Sequence, residues 1–137
     1  MRILGMDFGD KRIGLAISDE LGITAQGLPT LNRTGLKNDL QQLVEILKVK
    51  EITKLVVGLP KNMDGTIGSQ AEKVKDFIDL LIKEYPLEVV YWDERLTTAA
   101  AQRTLLEGDV SRKKRKRAVD KIAAVIILQG YLNRLNI

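Results

Sequence analysis

Residues 3–18, "ILGMDFGDKRIGLAIS", carry the strongest structural pattern in this 137-residue chain. This stretch joins two apolar runs through a short polar turn, so it predicts a β-hairpin of strands 2–8 and 12–18. The first strand is apolar on both faces, which is typical of a central strand in a covered sheet. A carboxylate, Asp7, stands near the end of that strand, where burial is costly unless the group has a partner.

The rest of the chain predicts helices alternating with strands in one α/β domain, residues 1–137. The predicted elements are a strand at 23–31 with an edge-type proline, a helix at 36–49, a strand at 53–60, a helix capped by Ser69, a strand at 87–92, a helix from about 97 to 108, and a last helix from about 111. Strand–helix–strand units favour parallel pairing with right-handed crossovers. The first, fourth and fifth strands therefore end at one edge, where ligand sites of open α/β sheets lie.

The composition excludes several classes of site. The chain contains no cysteine and no histidine, so it has no disulfide, no thiolate or imidazole metal ligand and no histidine base. An enzyme of this composition works with carboxylates, basic groups, hydroxyls or an oxygen-ligated metal. Charged residues make up 29% of the chain and no apolar run is long enough to span a bilayer, so we expect a cytoplasmic protein.

Acidic residues follow two of the strands that share this edge. Asp7 ends the first strand, and Asp93 and Glu94 follow the fifth. The last helix adds Asp120, which shares a helical face with small alanines and can pack closely against the Gly5 side of the first strand. Like charges placed together are unfavourable unless a cation lies between them. We therefore expect one or two Mg²⁺ or Mn²⁺ ions, which suit carboxylates and the hydrolysis of phosphodiesters.

Each carboxylate also has an ordinary structural explanation. Asp7 can cap the turn that follows it or pair with Lys11 or Arg12. The acidic residues after the fifth strand can pair with Arg95 or stabilise a helix N-terminus. Asp120 can pair with a basic residue one turn earlier. The convergence of these groups on one edge favours the metal site.

A basic run, "RKKRKR" at 112–117, dominates the net charge of +4. Without these six residues, the chain would have 16 basic residues and 18 acidic residues. The run opens a helix, where positive charge opposes the macrodipole. Lys113, Lys116 and Arg117 lie on the helical face of Asp120. We therefore expect the run to bind a nucleic-acid backbone and lead it to the carboxylates.

The motifs "DFGDKRIGLAISD", "GLPKNMDGT", "WDERLTT" and "VDKIAAVIILQGYL" together resemble the YqgF family, also called RuvX, of the ribonuclease H-like superfamily. The resemblance covers the whole chain. It implies a five-stranded mixed sheet, order 3-2-1-4-5, flanked by helices. It also implies a metal-dependent nuclease with Asp7, Glu94 and Asp120 as acidic residues, acting in maturation of the 5′ end of 16S ribosomal RNA or on four-way DNA junctions.

The sequence does not separate Asp93 from Glu94, and Asp93 is the alternative ligand. The expected phosphate contacts are Arg12, Lys61, Asn62, Arg95, Thr97, Thr98, Arg112, Lys113, Lys116 and Arg117. Two other functions fit parts of the sequence: an RNA-binding ribosome assembly factor without cleavage, and the phosphate-binding hairpin of sugar kinases and actin-like ATPases, which need two such domains. The chain is expected to be a monomer or a homodimer.

Overall fold

A five-stranded mixed sheet lies at the centre of the structure, a computed structural model that describes residues 2–60, 64–93 and 112–136, without the side chains of 112–121. The strands are β1 (Arg2–Phe8), β2 (Arg12–Ser18), β3 (Ala25–Asn32), β4 (Ile52–Leu59) and β5 (Glu88–Asp93), and the helices are α1 (Leu36–Val49), α2 (Ser69–Glu84) and α3 (Arg112–Leu135). The strand order is β3-β2-β1-β4-β5. β1 pairs antiparallel with β2 and parallel with β4, and β4 pairs parallel with β5. The predicted hairpin and sheet order are confirmed.

Two local predictions are wrong, and one lies outside the described residues. Gly68 is the N-cap of α2 and no side chain caps this helix, so Ser69 is the first helical residue rather than the cap. β3 begins at Ala25 rather than at residue 23. The Asp19 carboxylate accepts hydrogen bonds from the backbone N–H groups of Ile23 (2.7 Å) and Thr24 (3.2 Å), which holds both residues in the turn. The predicted helix at 97–108 lies outside the described residues.

The two faces of the sheet are covered by different helices. Leu4, Met6 and Phe8 of β1 face α1 and α2 in the larger apolar cluster. Ile3 faces the other way, and it packs in a second cluster with α3. Because successive strand residues point to opposite faces, Gly5 and Asp7 lie on the α3 face with Ile3. None of the described helices is long and apolar enough to cross a membrane.

α3 runs antiparallel to β1. Near its C-terminal end, the Gln129 side chain accepts a hydrogen bond from the Ala25 N–H (2.9 Å) and donates one to the Ile23 carbonyl (2.9 Å). These residues adjoin the start of β1, where the Ile3 N–H donates to the Ser18 hydroxyl (2.9 Å). The N-terminal end of α3 therefore lies toward the carboxyl end of β1.

α3 packs closely against β1 because Gly5 has no side chain. A Cβ atom at this position would lie 2.7 Å from the Leu128 Cβ and 3.1 Å from the Ala124 carbonyl oxygen. Ala124 and Leu128 are fully buried. The predicted contact between the small faces of the first strand and the last helix is confirmed.

Replacing Gly5 by alanine is expected to destabilise the protein by about 1–3 kcal/mol, the usual cost of overpacking a core. The conflict involves a Cβ and a backbone oxygen of α3, so no side-chain rotation relieves it and the helix must shift. Urea unfolding followed by circular dichroism measures this loss. An unchanged free energy of unfolding for Gly5→Ala would contradict the close packing of α3 on β1.

Candidate active site

Asp7 lies near the carboxyl end of β1 on the α3 face, and glycines flank it on both neighbouring strands. Gly14 of β2 is its pairing partner. On the other side Met6 pairs with Val57, so Gly58 is the β4 residue beside Asp7. Both glycines are buried. The residues next to Asp7 on each neighbouring strand therefore place no side chain beside its carboxylate.

The Asp7 carboxylate is half-buried, and within the described part of the chain it has no hydrogen bond or ion pair. The structural alternatives, in which Asp7 caps the turn or pairs with Lys11 or Arg12, are therefore not observed. The turn is closed instead by a backbone hydrogen bond from the Gly9 N–H to the Arg12 carbonyl (2.9 Å). A half-buried carboxylate that has no partner among the described residues is of the kind that can hold a hard divalent cation.

Asp93 points away from Asp7. Val90 and Trp92 of β5 pack with the α3 cluster, whereas Val89 packs with the α1 and α2 cluster. Strand alternation therefore places Asp93 on the face opposite Asp7. Asp93 and Asp7 therefore do not share a face of the sheet, and Glu94 lies outside the described residues.

The structure brings Asp7 and Arg12 to the same face of the sheet. Ile13 and Leu15 face α1 and α2, so Arg12 projects to the α3 side with Gly14. Five predicted contacts and one acid lie outside the described residues: Lys61, Asn62, Glu94, Arg95, Thr97 and Thr98. Four more predicted contacts and one more acid lie in the described backbone of α3, but their side chains are outside the described part: Arg112, Lys113, Lys116, Arg117 and Asp120. Among the described residues, no three acidic groups form a metal-binding cluster.

Sequence reasoning missed two charged residues that hold the turn after Asp7. Arg33 follows β3, and its partner Asp39 lies in the first turns of α1 with none of its side chain exposed. A signal for Asp39 is present in the sequence, since it lies on the apolar face of α1 between Leu36 and Leu43. A carboxylate on such a face must have a partner.

The solved structures that this chain resembles have the same fold. It matches RuvC of T. thermophilus, solved in complex with a Holliday junction substrate, with a TM-score of 0.59 and 15% identity, covering 98% of this chain and 96% of that one. It matches the Holliday junction resolvase of fowlpox virus with a TM-score of 0.61 and 17% identity, covering 98% and 99%. The sheet and its flanking helices therefore have the ribonuclease H-like fold.

Within that class the chain belongs to the RuvX family, also called YqgF: it matches the family described as "RuvX: Holliday junction resolvase" over residues 1–134. It is 58% identical over 133 residues to a Clostridium tetani protein named "Putative pre-16S rRNA nuclease", covering 97% of this chain and 96% of that protein. A Halothermothrix orenii protein of the same name is 54% identical over 136 residues, covering 99% and 97%.

Proposed function

We propose that this protein is a metal-dependent nuclease that hydrolyses phosphodiester bonds in RNA and processes the 5′ end of precursor 16S ribosomal RNA. The observation that carries the proposal is the Asp7 carboxylate at the carboxyl end of β1, which has no partner among the described residues, in a chain that matches its family over residues 1–134. The names of the relatives support the choice of substrate.

Asp7, Glu94 and Asp120 are the residues that would hold one or two Mg²⁺ or Mn²⁺ ions. Asp120 lies one helical turn before Ala124, which contacts the Gly5 position. One turn of α3 spans about 6 Å, and the two residues from Gly5 to Asp7 span about the same length of strand. Since α3 runs antiparallel to β1, this spacing supports placing residue 120 at the level of Asp7.

The side chains of this chain bind and orient the RNA. When bound, divalent ions supply Lewis acidity that activates a water and stabilises the leaving oxygen. The basic run at 112–117 binds the phosphate backbone, and Arg12 lies on the same face of the sheet as Asp7. The glycines beside Asp7 leave room for the scissile phosphate. Attack of water on phosphorus, in line with the leaving 3′ oxygen, leaves a 5′-phosphate and a 3′-hydroxyl.

Cleavage by the purified protein tests the proposal. The substrates are a 5′ segment of precursor 16S RNA and a four-way DNA junction, each with Mg²⁺ or with a chelator. We expect Mg²⁺-dependent cleavage of the RNA. Symmetric cutting of the junction alone would support the second candidate, a resolvase acting as a homodimer, which the description of the family favours. RNA binding without cleavage of either substrate would support a non-catalytic assembly factor.

A further inference from the structure

The turn that follows Asp7, residues 9–11, is held by one arginine from outside the hairpin. The Arg33 backbone N–H donates a hydrogen bond to the Lys11 carbonyl (2.9 Å). Its Nη1 donates to the carbonyls of Gly9 (3.2 Å) and Asp10 (3.3 Å). All three carbonyls of the turn therefore accept hydrogen bonds from a single residue. These hydrogen bonds fix the backbone of the turn, whose carbonyls would otherwise bind water.

Arg33 is itself held in place by a buried partner. Its Nε donates to the Asp39 Oδ2 (3.1 Å), and the Thr34 N–H donates to the other oxygen of Asp39 (3.0 Å). The Arg33 side chain is 21% exposed and that of Asp39 is fully buried. A buried ion pair is often no more stabilising than apolar residues of the same size. The observed contacts of this pair therefore point to a role in fixing geometry.

Phe8 connects this contact to Asp7. The Arg33 guanidinium lies 4.5 Å from the centroid of the Phe8 ring, and the centroids of the Phe8 and Phe77 rings are 4.6 Å apart. Successive strand residues point to opposite faces, so a fixed Phe8 ring on one face fixes the direction of Asp7 on the other. The hydrogen bond to the Gly9 carbonyl fixes the next residue along the chain.

We infer that Arg33, held by Asp39, is a positioning residue that keeps the Asp7 carboxylate in the orientation that binds the divalent cation. This inference rests on the proposed function. Residues that orient a metal ligand from outside its coordination shell typically change metal affinity or activity by about 10–100-fold when they are replaced. Arg33 lies on the sheet face that α1 and α2 cover, opposite Asp7. Its replacement is therefore expected to leave RNA affinity unchanged.

The test compares Arg33→Lys and Arg33→Met with the wild type. Mn²⁺ affinity is measured by electron paramagnetic resonance titration of the protein without RNA, and kcat and KM are measured for RNA cleavage. Lysine keeps a cation for Asp39 but lacks the planar fork that reaches Asp39 and the turn together. For both variants we expect the Mn²⁺ Kd to rise and kcat to fall by about 10–100-fold, with KM unchanged. Thermal unfolding shows that each variant is folded at the assay temperature.

Two further variants keep the test decisive. Arg2→Met removes an arginine at the opposite end of β1, whose side chain is 39% exposed, and should leave Mn²⁺ affinity unchanged. Asp39→Asn keeps the shape of the buried group and weakens its hold on Arg33, so it tests the same contact if Arg33→Met does not fold. Wild-type Mn²⁺ affinity and kcat in folded Arg33→Lys and Asp39→Asn would overturn the inference.

Asp7→Asn separates this inference from the proposed function. If Asp7→Asn binds Mn²⁺ as the wild type does, the proposed function fails and the inference fails with it. If Asp7→Asn loses Mn²⁺ while the Arg33 variants keep it, only the positioning role of Arg33 is overturned. Loss of Mn²⁺ in Asp7→Asn, with a weaker loss in the Arg33 variants, is the expected result.

Discussion

Asp7→Asn is expected to lower kcat for RNA cleavage by at least about 10³-fold, because it removes the carboxylate that we propose as a ligand of ions that would supply several kcal/mol of transition-state stabilisation. The substitution keeps the size of the side chain, and the carboxylate has no hydrogen bond or ion pair in the described structure, so the fold should be unaffected. RNA affinity should stay the same or increase, since a negative charge is removed near the phosphates. Single-turnover cleavage and equilibrium binding measure the two quantities.

Asp10→Asn is the matched control for Asp7. It makes the same substitution three residues away, on a side chain that is 66% exposed and lies 4.0 Å from Lys73. This variant should cleave RNA at the wild-type rate. A kcat for Asp7→Asn within about tenfold of the wild type would remove Asp7 from the catalytic machinery and favour the non-catalytic assembly factor.

Replacement of all six basic residues at 112–117 by glutamine is expected to weaken RNA binding by at least about 10²-fold and to reduce its salt dependence. If each residue contacts a phosphate of single-stranded RNA, the slope of log K against log salt concentration falls by about 4. The protein should become slightly more stable, by a few tenths of a kcal/mol per charge, because these residues oppose the dipole at the start of α3. Filter binding across a salt series and urea unfolding measure both effects.

A control for net charge uses exposed lysines of other helices. Replacing Lys37, Lys48 and Lys83 by glutamine lowers the net charge without touching α3. This variant should lose much less RNA affinity for each charge removed. An unchanged salt slope after neutralisation of the basic run would show that the run does not bind the RNA backbone.

Most of the fold follows from the sequence because its strongest patterns are local. Strands β1 and β2 match the prediction at both ends, since two apolar runs meet at a short polar turn. The predicted bounds of helix α1 are also correct, because its apolar residues follow helical spacing from Leu36. The close approach of α3 depends on a small residue that the sequence shows, because Gly5 leaves room for Leu128 and for the backbone of Ala124.

The parts that the sequence does not predict depend on contacts between distant segments. The hydrogen bonds from Arg33 to the turn join residues 22 to 24 positions apart, which no local pattern reveals. The choice between Asp93 and Glu94 needs the two faces of β5 to be distinguished. Both faces of this strand are apolar, so the sequence does not show which residues meet α3, whereas the packing of Trp92 does.

An anomalous-scattering map from crystals of this protein grown with millimolar Mn²⁺ is the most direct test of a metal site at Asp7. We predict a Mn²⁺ peak within about 2.5 Å of an Asp7 carboxylate oxygen, on the α3 face of the sheet, with Glu94 and Asp120 as the other protein ligands. A second peak about 4 Å away would indicate a two-ion site. The absence of a peak at Asp7, or a peak bound by Asp93 on the opposite face, would contradict the proposed metal site.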